Sequence, residues 1–172
     1  MKEIPIVPCQ IKELNLSCFG CCGRDFKSRE EVDRDLEKIK ISFDNIKIKS
    51  GFRMLNFRDR FSPDPDDVMP SGICSNVVKF DSSCIACPLH PLINNLVSKK
   101  EYKLPFKKKK DARINYCDEN YECLTFKYYK NFSLEERREF ILWVKEKNYD
   151  YYSYSKENGE DKLILKFLAE KN

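Results

Sequence analysis

The sequence predicts a small, loop-rich α+β domain in which two amphipathic helices flank three clusters of cysteine. Three observations carry this. The chain has 172 residues, enough for one compact domain at roughly 150 residues each and too few for two large ones. Two stretches show helical spacing of apolar residues, and proline- and glycine-bearing segments separate them. Nine cysteines, about 5% of the residues, stand above chance but below the roughly 8–10% of a short secreted disulfide scaffold.

Residues 1–24 hold Cys9, Cys18, Cys21 and Cys22 among Pro5, Pro8, Gly20 and Gly23, and read as loop. Ser28 and Glu31 form a capping box, and Val32, Leu36, Ile39, Phe43 and Ile46 recur at steps of four and three. A helix is expected from about Arg29 to Ile46 or Lys47. Residues 52–61 follow neither helical nor strand period. The run from Ser62 to Gly72, with Asp64, Asp66, Asp67 and three prolines, reads as loop. Asn76–Phe80 is a candidate short strand, Cys84–Pro91 is irregular, and Leu92–Val97 has room for one or two helical turns.

Tyr116–Tyr129 carries the last two cysteines among many aromatics. Ser133 and Glu136 repeat the capping box, opening a helix of about 13 residues with Leu134, Phe140, Ile141 and Val144 on one side. Tyr149–Tyr154 has the composition of a strand and Glu157-Asn158-Gly159 that of a turn. Leu163, Ile164, Phe167 and Leu168 have helical spacing and good helix formers around them, although the same piece can also pair with Tyr149–Tyr154 as a hairpin. Residues 1–130 form the cysteine-rich part, and 131–172 are a helix-strand extension packed on it within one domain.

Hydrophobic residues are 41% and mean hydropathy is -0.62, so the core is thin. The N-terminus has no apolar segment of the signal-peptide kind, and no run approaches 18 apolar residues, which points to a cytoplasmic protein without a membrane span. Net charge is +4, but seven lysines between Lys99 and Lys110 stand against Glu101 alone, leaving the rest of the chain slightly acidic. With Tyr102 and Phe106 this segment is the one candidate nucleic-acid contact; a solvated loop is the simpler explanation.

In a reducing compartment, closely spaced cysteines are metal ligands or redox groups more often than disulfides. Cys18-Phe19-Gly20-Cys21 and Cys84-Ile85-Ala86-Cys87 are both Cys-x-x-Cys loops, each able to turn two thiolates toward one ion. With Cys22, Cys74, Cys117 and Cys123 they make eight candidate ligands, the number needed for two four-thiolate sites. Zinc and an iron–sulfur cluster such as 4Fe-4S are both compatible with soft thiolates. His90, three residues after Cys87, is a further candidate, whereas Cys9 reads as an inert buried thiol.

The segment Asn15-Leu16-Ser17-Cys18-Phe19-Gly20-Cys21-Cys22 resembles the zinc- or iron-chelating family named for its CxxCxxCC motif, with Asn15 where that family has its first cysteine. Cys74 and Cys84 resemble its later ligands, so the likeness extends over residues 15–90. It implies a cysteine-bound metal, and flagellin lysine N-methylases carry a similar motif. The expected function is thus a metal-binding protein with a structural or electron-transfer centre and a redox partner. The alternatives are a redox or methyl-transferring enzyme built on the metal and a zinc-stabilised nucleic-acid module. With one histidine, no nucleophile elbow and five glycines forming no phosphate loop, triad hydrolases and dinucleotide enzymes are disfavoured. The radical S-adenosylmethionine spacing fails as well, since its third cysteine falls on Asp25.

Overall fold

The structure is a computed structural model, described here for residues 8–46, 51–60, 68–82, 84–90, 117 and 121–171; the side chains of 22 and 51–54 are not described. Six α-helices and two small antiparallel hairpins make up these residues: β1 (Gln10–Ile11), β2 (Leu16–Ser17), α1 (Arg29–Asp44), α2 (Gly51–Asp59), β3 (Val78–Lys79), β4 (Ile85–Ala86), α3 (Leu124–Tyr129), α4 (Leu134–Glu146), α5 (Tyr151–Gly159) and α6 (Lys162–Lys171). The coarse α+β class agrees with the sequence, but six helices stand among the described residues where two amphipathic ones are expected to flank cysteine clusters, and the metal-binding character predicted with the class fails.

The expected capping boxes at Ser28/Glu31 and Ser133/Glu136 are both formed, each serine accepting from the N3 amide while the glutamate accepts from the cap amide. α1 buries Val32, Leu36, Ile39 and Phe43, the stripe read from the sequence. α4 is turned slightly from its expected face, since Phe140, Trp143 and Val144 are buried and Leu134 is exposed.

Two apolar cores result. In the first, α1 packs on β3–β4 and the loop before it, with Phe43 edge-on to Phe57 and to Phe80 at ring distances of 5.3 and 5.5 Å. Buried Asp35 fixes that loop, accepting from the Ser71 amide at 3.0 Å and pairing with Lys38 at 3.1 Å. Burial alone pushes its pKa up, but those hydrogen bonds outweigh it and leave the carboxyl below its ordinary value. In the second core β1–β2 lies against α3, α4, α5 and α6, centred on Ile11, Leu16, Phe140, Tyr154, Ile164 and Phe167.

α5 joins the two, with Tyr151 and Tyr152 against the first core and Tyr154 inside the second. This segment is where the sequence prediction is overturned. Tyr149–Tyr154 reads as strand and 157–159 as turn, yet Asp150 caps a helix by accepting from the Ser153 amide at 2.8 Å, and Tyr154, Ser155 and Asn158 are buried at helical spacing. Burial of that face outweighs the strand preference of tyrosine. Residues 52–59 are likewise helical, and 8–24 contain a hairpin where only loop is expected. Leu92–Val97 and the Asp64–Asp67 loop lie outside the described residues.

Candidate functional site: a thiol cluster between a hairpin and α5

The hairpin pairs Gln10 with Ser17 and Ile11 with Leu16, and its two strands are joined by a 3₁₀ turn at Lys12–Leu14 closed by Asn15 at φ 53°. One step outward in that register, Cys9 stands opposite Cys18, and the Cys18 amide donates to the Cys9 carbonyl at 2.9 Å. Side chains alternate along a strand. Cys9, Ile11, Leu16 and Cys18 therefore share one face and Gln10 and Ser17 the other. Ile11, Leu16 and Cys18 accordingly belong to the second core. Across the other face, the Ser17 hydroxyl accepts from the Ile85 amide at 3.1 Å.

After Cys18 the chain enters a 3₁₀ turn at Gly20–Cys22 that sits directly on α5. A Cβ at Gly20 would stand 2.2 Å from the Ser155 carbonyl oxygen and 2.7 Å from the Gly159 nitrogen, so only glycine permits this approach. The fully buried Ser155 hydroxyl completes the clamp, accepting from the Phe19 amide and donating to the Ser17 carbonyl, both at 3.2 Å. Asn158, 2% exposed, projects its amide from the same helix: Nδ2 donates to Cys18 Sγ at 2.8 Å and reaches Cys123 Sγ at 3.9 Å. The Gly20 amide adds a second donor to Cys18 Sγ at 3.4 Å. Asn158 Oδ1 is buried with no hydrogen-bond partner.

Pairwise links thus connect four thiols without bringing three of them to one point: the Cys18 amide bonds to Cys9, Asn158 reaches both Cys18 and Cys123, and Cys21 weighs electrostatically on Cys18; Cys9 and Cys18 are half-buried, Cys21 exposed, and Cys123 buried at the N-cap of α3. Burial raises the Cys18 pKa to about 12, with the nearby Cys21 adding and the Asn158 and Gly20 hydrogen bonds only partly opposing. Burial also pushes Cys9 up, followed by repulsion from Cys18, Cys21 and Cys123. Cys123 is raised by burial against the Phe126 amide, which donates to it. The buried members of the cluster are therefore neutral thiols at ordinary pH.

The other candidates lie elsewhere. Cys84 is buried in the first core, its pKa raised to about 11 mainly by burial, and a Gln10 hydrogen bond opposes that rise. Cys74, bridged to Val68 in a short antiparallel contact, accepts from the Asn76 amide at 3.4 Å. Cys87 packs at the edge of the same core and accepts from the His90 amide through its carbonyl at 3.1 Å. Cys117 is half-buried, and the Cys22 side chain lies outside the described residues.

This arrangement overturns the metal-centre expectation. Among the described residues, no group of three or more His, Cys, Asp or Glu side chains is placed to hold a metal ion. The zinc or iron–sulfur cofactor is therefore unsupported, and so are the metal-binding fold class, the metal-dependent enzyme and the zinc-stabilised nucleic-acid module. The hairpin supplies the physical reason, for the Cys18–Cys21 loop belongs with the Cys9 face and Cys84 with the Gln10 face. Two loops that the sequence invites one to pair are held on opposite sides of a two-stranded ribbon. The lysine segment Lys99–Lys110 lies outside the described residues.

Cys9 and Asn158 are the residues that sequence reasoning missed. The first reads as a single inert thiol until the hairpin register places it against Cys18. The second reads as a turn residue until α5 forms. Among the described residues no helix is long and apolar enough to cross a membrane. Compared with family models, curated proteins and solved structures, the chain matches none of them.

Proposed function

We propose that this chain is a thiol–disulfide redox protein whose reactive pair is Cys18 and Cys21. The observation that carries the reading is the asymmetry of one Cys-x-x-Cys loop: Cys21 is exposed, while Cys18 is half-buried with two N–H groups, from Asn158 and Gly20, aimed at its sulfur. An exposed thiol is the one that can meet a disulfide in solution. Donors on the second sulfur stabilise the thiolate that must form there before it attacks, and they stabilise it again as the leaving group on reduction.

The exchange balances as two steps. The Cys21 thiolate attacks a small disulfide such as glutathione disulfide, forming a mixed disulfide and expelling one thiolate. Cys18 then attacks the Cys21 sulfur, expelling the second. Two thiol protons and two electrons leave the protein, and the small disulfide is reduced to two thiols. A cytoplasmic setting suits such an exchange, because its thiol pool keeps cysteines available as thiols, and a dithiol protein is the matching partner for reduction.

Mixing the reduced chain with glutathione disulfide tests this. Two glutathiones are expected per chain. Cys21→Ser is expected to lose the fast first release, and Cys18→Ser to stop at the mixed disulfide after one. Release that is absent, or unchanged in both variants, would sink the proposal.

A further inference from the structure

We infer that Asn158 is a catalytic residue of the exchange, the donor that decides how readily the Cys18 sulfur attacks. The inference rests on the thiol–disulfide reading above and adds to it which side chain governs the second step. Asn158 is 2% exposed, and its Nδ2 donates to Cys18 Sγ at 2.8 Å, against 3.4 Å for the Gly20 amide on the same sulfur. Its other side-chain bond, at 3.9 Å, also ends on a thiol, that of Cys123. Oδ1 is buried and has no hydrogen-bond partner among the described residues. Buried amides that serve the fold are paired at both ends as a rule, because an unmade bond to a buried oxygen costs more than a typical bond returns. An asparagine half-satisfied in this way, with both of its donor contacts on sulfur, is placed for the sulfur.

What the contact contributes depends on the state of Cys18. Burial keeps that thiol protonated at ordinary pH, and a neutral thiol is a weak acceptor. The thiolate that attacks the mixed disulfide is a strong one, since hydrogen bonds to a charged group are roughly twice as strong as those between neutral groups. The contact is therefore weak in the resting state and strong in the reacting one, and that difference is what lowers a barrier.

The helix fixes the direction of the amide. Ser155, three residues before Asn158 on α5, grips the residues on either side of Cys18, accepting from the Phe19 amide and donating to the Ser17 carbonyl, both at 3.2 Å. Residues three apart on a helix share a face. One face of α5 thus holds the backbone at 17 and 19 and presents Nδ2 to the sulfur between them, so the donor is in place before the charge forms. In the step itself Cys18 gives its proton to solvent and its thiolate attacks the Cys21 sulfur of the mixed disulfide. The Cys18–Cys21 bond forms, the bond to glutathione breaks, and glutathione leaves as a thiolate that takes up a proton. Asn158 transfers nothing; its N–H stays on nitrogen throughout.

The test mixes the full reduced chain with glutathione disulfide and follows the two glutathione releases in time, with stability read from urea denaturation by Trp143 fluorescence. Asn158→Leu puts an apolar group of the same shape in place of the amide and removes the unpaired oxygen, so its urea midpoint should stay at that of wild type. Asn158→Ala leaves a cavity, and its midpoint should fall. In both variants the second release should slow relative to the first by about three- to tenfold. Losing a hydrogen bond to the thiolate cuts its population by a factor of about ten or more, and the greater nucleophilicity of a more basic thiolate offsets about half of that on a logarithmic scale. Equal slowing in two variants of unequal stability assigns the effect to the lost donor. A second release as fast as wild type in both, or slowing confined to the less stable variant, would overturn the role of Asn158 and leave the redox function standing. A wild type that releases no glutathione would overturn both.

Discussion

Replacing Gly20 with alanine puts a methyl group where α5 already stands. The added carbon would lie 2.2 Å from the Ser155 carbonyl oxygen, 2.7 Å from the Gly159 nitrogen and 3.0 Å from the Gly159 Cα, all backbone atoms. Carbon contacts are comfortable at about 3.5–4.0 Å, so more than 1 Å of overlap has to be relieved by moving a helix or the Cys-x-x-Cys turn. Overpacking of this kind costs about 1–3 kcal/mol, and the upper end applies because no flexible side chain can give way. Alanine also restricts the unfolded chain, which by itself stabilises by about 0.4–1 kcal/mol. The net expectation is a loss of about 2 kcal/mol. With a urea m-value of about 1–3 kcal/mol/M, the midpoint should fall by about 1 M. Urea denaturation followed by the fluorescence of Trp143, the sole tryptophan and 8% exposed, measures it. If the turn did not dock on α5, only the unfolded-state effect would remain and the variant would be more stable than wild type. A midpoint equal to or above wild type would therefore refute the docking. Gly159→Ala should cost less, its nearest contact being the Gly20 carbonyl oxygen at 2.8 Å, and the double variant should depart from additivity because both substitutions act on one interface.

Three further outcomes follow. Gly72→Ala places a side chain at φ 87° and 2.2 Å from the Arg24 carbonyl oxygen; a loss of at least about 1–3 kcal/mol is expected from the backbone alone, and an unchanged urea midpoint would contradict it. In alkali, folded Cys18 and Cys84 hold their protons more tightly than the ordinary value near 9, titrating at about 12 and about 11. Their stabilisation is fully present below about pH 9 and is lost as pH rises toward those values, at about 1.4 kcal/mol per pH unit per thiol. Cys18→Ser should flatten the fall between pH 9 and 11 by about that amount, and a wild-type stability independent of pH over this range would contradict the burial of both thiols. Protein purified without oxygen should carry neither zinc nor iron in stoichiometric amount, because no three donors converge among the described residues; a stoichiometric metal in elemental analysis would overturn the thiol chemistry proposed here.

Local signals in the chain are legible where one segment contains the whole cause. Ser28 with Glu31 and Ser133 with Glu136 cap helices from within four residues, and the stripe Val32–Phe43 faces the core it implies. The failures share a different cause. α5 is helical because Tyr154, Ser155 and Asn158 bury one side between two cores; within Tyr149–Tyr154 the Asp150–Ser153 cap is a local sign of a helix, set among tyrosines that favour a strand. The hairpin of two-residue strands is too short to show a period, so the opposition of Cys9 and Cys18 was not legible. Cysteine spacing suggested which thiols lie near each other along the chain, and Cys18 with Cys21 is such a pair. It did not reveal that a ribbon separates Cys18 from Cys84, or that Cys123 approaches from α3 to meet Asn158.

A titration of the intact chain across glutathione redox buffers, counting alkylatable Cys18 and Cys21 at each ratio, bears most directly on the proposed chemistry. Reversible exchange predicts that Cys18 loses its thiol in a single two-electron step together with one partner thiol, and that both return on reduction. If Cys18 and Cys21 both stay fully alkylatable in glutathione disulfide alone, the cluster is a buried set of inert thiols and the redox function is wrong.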